Sequence, residues 1–100
     1  MHSELQFDFS PEKNHQLINE RGISFEEVIE AIEEGAVWDI LPHPNSAKYP
    51  NQRIYVLNIN QYVYLVPFVR KDKNTLFLKT IFPHRKLTKL YLRGDDNDKT

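Results

Sequence analysis

The densest run of groups able to do chemistry lies late in the chain, where Lys79 is followed by His84-Arg85-Lys86 and then Lys89. Breaking an RNA backbone without a metal lets the ribose 2′-hydroxyl attack the neighbouring phosphate. That step needs a base, an acid and positive groups to hold the charge that builds on the five-coordinate phosphorus. Arg85 and Arg53 can each clamp a phosphate through two N–H donors, Lys79 and Lys86 act as point charges, and His84 or a tyrosine can move the proton. Arg53, Lys79, His84, Arg85 and Lys86 therefore form the candidate catalytic set. Tyr55, Tyr62 and Tyr64, with Lys89, form a candidate RNA-binding set, because aromatic rings among cations hold unpaired bases by stacking.

The same residues also admit a structural reading. A basic helix start is often a solvated face or one that meets an acidic partner, a histidine after a proline often sits idle in a loop, and tyrosines are ordinary strand formers. His2, His15 and His43 lie far apart and lack metal-ligand spacing, so no metal site and no cofactor are expected. No glycine-rich phosphate loop, nucleophile elbow or pair of close carboxylates is present in the sequence.

Net charge is −1, yet its distribution is uneven. Residues 1–47 carry ten acids against Lys13 and Arg21, residues 48–94 carry ten bases against Asp72, and residues 95–100 return to acid. Such polarity points to a polyanion at the basic half and to a basic partner at the acidic half. Forty per cent apolar content over 100 residues suits one core and one domain, expected to span residues 1–94. Residues 95–100 are too polar to pack and are expected to be disordered. Cysteine is absent, the N-terminal stretch is not a signal peptide, and no apolar run approaches membrane-span length, which together suit the cytoplasm and no membrane partner.

The elements that must position these residues can be read from caps and periodicity. Ser10-Pro11-Glu12 starts a helix that Gly22 stops, and Ser24-Phe25-Glu26-Glu27 starts a second that ends at Gly35, with Ile23 placed to staple against Val28. Glu26, Glu27, Glu30, Glu33 and Glu34 lie mostly off its apolar stripe. From residue 37 the period becomes two, and strands are expected over 37–41, 53–59, 62–69 and 75–82, with a short alternating stretch at 6–9. Pro67 belongs near a strand end or a bulge. Helical spacing returns over 85–92. Parity assigns Ile54, Val56, Val63, Leu65, Leu76 and Leu78 to the face that receives the two N-terminal helices. It leaves Arg53, Tyr55, Tyr62, Tyr64, Phe77 and Lys79 on an open face. The expected fold class is α+β: two N-terminal helices on a four-stranded antiparallel sheet, with a short C-terminal helix.

The block Phe7-Asp8-Phe9-Ser10-Pro11-Glu12-Lys13, followed in register by Arg21-Gly22-Ile23-Ser24-Phe25-Glu26-Glu27, resembles the opening of the BrnT family of bacterial toxins. Arg85-Lys86-Leu87-Thr88 resembles that family's late basic segment, and Arg53 stands where the family has an arginine opening a strand. The resemblance covers nearly the whole expected folded length. It implies a fold like that of the RelE and ParE toxins, and a type II toxin–antitoxin system in which the toxin cleaves RNA and arrests translation. It also implies a ribbon-helix-helix antitoxin of the BrnA kind, with operator DNA contacted only through that antitoxin. Arg53, Arg85 and Lys86 match family positions, whereas Lys79 and His84 rest on chemistry alone. The chain departs from the pattern at Asn51, which takes a position usually held by glutamate, and at His43, which is shifted. These departures keep open a second reading: a toxin or interaction module of the same fold that acts by binding a protein target and its antitoxin rather than by cleavage.

Overall fold

The helix boundaries lie where local chemistry puts them. Residues 5–92 are described by the structure, a computed structural model; the tail expected at 95–100 lies outside the described residues. After a short strand β1 (Gln6–Asp8), Ser10 caps α1 (Pro11–Arg21) by accepting the Lys13 N–H at 3.1 Å. Gly22 closes it in the left-handed conformation, φ 68°, which a side chain would strain. Ser24 accepts the Glu27 N–H at 3.1 Å and so caps α2 (Phe25–Glu33), which buries Phe25, Val28 and Ala31. Asn14 ties the two helices together. Its buried side-chain oxygen accepts the Phe25 N–H at 2.7 Å while its amide donates to Glu26 at 2.9 Å. That bond is the first cause holding the Glu26 carboxyl below its ordinary pKa.

The rest of the chain is β2 (Val37–Pro42), β3 (Gln52–Ile59), β4 (Tyr62–Asp72), β5 (Thr75–Leu78), β6 (Phe82–Pro83) and α3 (Arg85–Leu92). The sheet corrects the expectation of four antiparallel strands: it has six strands and is mixed, in the order β1-β5-β4-β3-β2, with β6 also on β4. β1 pairs parallel with β5, Phe7 facing Leu76, so the short stretch before the first helix is a sheet edge. The expected strand at 75–82 is broken because Leu78 faces Phe68 while Phe82 faces Leu65, so one strand has gained a residue on the other. Pro67 sits at this irregularity. Its carbonyl accepts the Lys79 N–H at 2.8 Å, so its missing N–H also lies on the irregular side and costs the β3–β4 ladder nothing.

A one-residue slip exchanges the faces of a strand, and that corrects the expected division of the sheet. The bulge between Arg70 and Asp72 turns Leu76 and Leu78 to the same side as Phe68, Val66, Tyr55, Leu57 and Ile59. This side receives α1 and α2 and forms the main core with Leu17, Ile23, Phe25 and Val28. The tyrosine-bearing face is therefore the covered one. Val56 and Val63, both fully buried, lie outside that cluster on the opposite face, which α3 crosses. Among the described residues no helix is long and apolar enough to cross a membrane.

Candidate functional site

β6 delivers the chain to α3, and His84 joins the two. Its N–H donates to the Val63 carbonyl at 2.9 Å, its carbonyl accepts from the Thr88 N–H, and its Nδ1 accepts the Leu87 N–H at 3.2 Å. His84 is thus the cap of α3, held through Nδ1, and the free ring nitrogen is Nε2. The buried Thr88 hydroxyl accepts the Val63 N–H at 2.9 Å and donates back to the His84 carbonyl at 2.8 Å, which pins α3 to the edge of β4.

Arg85 and Lys86 take the first two helical positions, both exposed, with no acid in the first turn. The N-terminal end of a helix is already positive, so each cation there costs the fold about 0.3–1 kcal/mol. An anion bound at the same place removes that cost and gains the helix amides as well. Lys89, exposed, lies one turn further on. Lys79 follows Leu78, whose side chain enters the main core, so alternation turns Lys79 toward the α3 face. Its N–H meets Pro67, four residues along β4 from Val63, or about 13 Å by strand rise. His84, Arg85, Lys86 and Lys89 are brought together at α3, and alternation puts Lys79 on the same side of the sheet.

Arg53 does not join them. It faces Phe68 on β3, on the side of α1 and α2, and lines a groove of about 330 Å³ with Arg70, Tyr55, Phe68, Leu76, Ile40, Leu5, Pro50 and Asn51. The sheet lies between this groove and His84. The expected aromatic platform is also corrected. Tyr55 is 5% exposed and stacked on Phe68 at 4.4 Å between ring centroids, leaving no free face for a base. Burial pushes its hydroxyl pKa up, against the pull of Arg70. Tyr64, half-buried and 5.6 Å from Tyr62, has its hydroxyl pushed up by burial first and then by Tyr62 and Glu27. A carboxylate so near repels a phosphate chain.

Sequence reasoning missed the aromatics that do stand free. Trp38 of β2 and Tyr91 of α3 meet edge to face at 5.2 Å and are 40% and 47% exposed. Tyr91 was absorbed into the apolar stripe of α3, and its place two turns beyond Arg85 was the available signal. Arg70 was missed because it falls in what reads as a hairpin linker, whereas β4 runs on to Asp72. Among the described residues no three His, Asp or Glu side chains gather as a metal site would require.

Two helices on one side of a mixed sheet and one on the other, with the basic segment opening the last helix, define the α+β fold. Among solved structures the chain is similar to the 1.1 Å crystal structure of the Brucella abortus ribonuclease toxin BrnT, with a TM-score of 0.61 over 80% of this chain and 96% of that one, at 12% identity. The chain has a BrnT-like fold. No protein-family model and no curated protein matches the sequence.

Proposed function

We propose that this chain is the toxin of a type II toxin–antitoxin pair and that it acts as a metal-independent endoribonuclease, cleaving mRNA in the cytoplasm and arresting translation. The observation that carries the reading is the uncompensated positive start of α3, in a chain whose fold is similar to that of a ribonuclease toxin. Arg85 and Lys86 hold the scissile phosphate against the α3 amides, and Lys79 adds charge from just beyond β5. His84 moves the proton: in the tautomer with its hydrogen on Nδ1, which gives up the Leu87 N–H, Nε2 takes the 2′-hydroxyl proton and returns it to the leaving 5′-oxygen. Trp38 and Tyr91 offer rings to an unpaired base beside Lys89, in place of Tyr55, Tyr62 and Tyr64. Arg53, on the far side of the sheet, takes no part in this step. The partner is a ribbon-helix-helix antitoxin, through which alone operator DNA is contacted.

The test is primer extension on cellular RNA after induction, with and without chelation of magnesium, for the wild type and for Arg85→Ala combined with Lys79→Ala. New 5′ ends that survive chelation, and that the folded double variant fails to make, support the reading. Undiminished growth arrest by that variant overturns it. One observation favours binding without cleavage: His84 is the single imidazole among the basic residues at α3, and Asn51 supplies no carboxylate. Growth arrest with intact RNA selects that alternative.

A further inference from the structure

The groove on the opposite face has its own chemistry. Arg53 and Arg70 both line it, and among the described residues neither has an acidic partner; the ion pair found there joins Lys71 to Asp8. Arg70 is pre-positioned, since one of its terminal nitrogens donates to the Lys73 carbonyl at 2.9 Å. Two like charges held together without a counter-ion repel each other, and an anion between them relieves that cost. The walls between them are apolar: Phe68 and Leu76 below, with Leu5 and Ile40 at the rim, 39% and 43% exposed.

We propose that this groove docks an acidic, aliphatic segment of a protein partner: a carboxylate enters the Arg53–Arg70 fork while its neighbouring apolar side chain covers Ile40 and Leu76. Charge complementarity selects the anion, and the walls select the stem that carries it. A nucleic-acid strand fits less well, because Tyr55 and Phe68 are buried, stack on each other and offer no ring for a base. Docking is by side chains rather than by an added strand, since the Ile40 N–H on the edge strand β2 is already taken by the Asp39 carboxylate at 2.8 Å. The inference rests on the protein partner of the proposed function and not on its nuclease step.

The experiment titrates the whole chain with hexanoate, acetate and inorganic phosphate, following the arginine Nε–H signals and the Ile40 and Leu76 methyl signals by NMR. Hexanoate is expected to saturate and to move both arginines and both methyls, with acetate about five-fold weaker for want of the stem. Arg70→Ala is expected to weaken hexanoate by about five-fold or more, and Arg70→Lys, which keeps the charge but loses the fork, by an intermediate factor. Phosphate binding tighter than hexanoate with the methyls unmoved overturns the proposal in favour of a nucleic-acid contact. So does hexanoate binding that Arg70→Ala leaves unchanged. Arg70→Ala is also expected to cleave RNA at the wild-type rate, and lost cleavage overturns the assignment. A wild type that cleaves no RNA removes the nuclease reading while the hexanoate result stands on its own.

Discussion

If α3 opens with two cations in order to hold a phosphate, relieving that charge should strengthen the fold and abolish the activity together. Lys86→Glu is the perturbation. Lys86 occupies the second helical position and is exposed, where a cation costs about 0.3–1 kcal/mol and an anion gains a similar amount. Exposure reduces the sum, so the variant should be more stable by about 1 kcal/mol at low ionic strength. The gain should shrink as salt is raised from ~0.01 to ~1 M, because the screening length falls from about 30 to 3 Å. Urea denaturation at several salt concentrations measures the first effect, and cleavage of a single-stranded RNA oligonucleotide measures the second. Cleavage should fall about 100-fold, the magnitude of losing one charged transition-state contact. A Lys86→Glu protein that is less stable than the wild type refutes the account of the helix terminus. One that is more stable yet fully active refutes the placement of the phosphate.

His84 has two separable jobs. His84→Asn keeps a capping acceptor for the Leu87 N–H and should melt like the wild type while losing cleavage, whereas His84→Ala should lose both cleavage and about 1 kcal/mol of stability; an active His84→Asn variant would remove His84 as the proton carrier. Asn14→Ala leaves the buried Phe25 N–H without an acceptor and should cost about 1–3 kcal/mol in urea denaturation, while Asn14→Asp, which keeps that acceptor, should repel Glu26 and be weakest at neutral pH. Glu26, Asp8 and Asp72 are all held below their ordinary pKa values, by the Asn14 amide, the Lys71 ammonium and the Asn74 N–H respectively. A depressed folded pKa means that the stability is fully present above the unfolded value and is lost as pH falls through the folded one, so acid melts should show loss below the usual carboxylate range. Asn14→Ala should show a smaller loss there.

The helices were legible because their ends are written in single residues: Ser10 and Ser24 as caps, Gly22 and Gly35 as stops. The strands of the central meander were legible from their period. The faces were not, since one extra residue at Lys71 exchanges the two sides of β5, and nothing in the alternation of 62–69 announces it. β1 was read as a stretch without a partner because its partner lies at the other end of the chain. The run from His84 to Lys89 stays together on one element because a helix keeps sequence neighbours together. Arg53 and the tyrosines share one face as alternation predicts, but it is the face that α1 and α2 cover. Trp38 and Tyr91 come together only through tertiary structure, with α3 lying across the sheet to the bulged edge strand β2.

The parallel pairing of β1 with β5 has a temporal consequence. β1 must wait, with Phe7 uncovered, until Leu76 has been synthesised. Pairings of such long sequence separation form late, because the intervening loop must be closed before the contact is gained. The basic segment that opens α3 is made later still, and its pins, the Val63 carbonyl and N–H, belong to a strand that β5 must first flank. A nascent chain therefore carries helices and hairpins but no assembled α3 surface. The surface around α3 is thus completed only after the sheet that carries it.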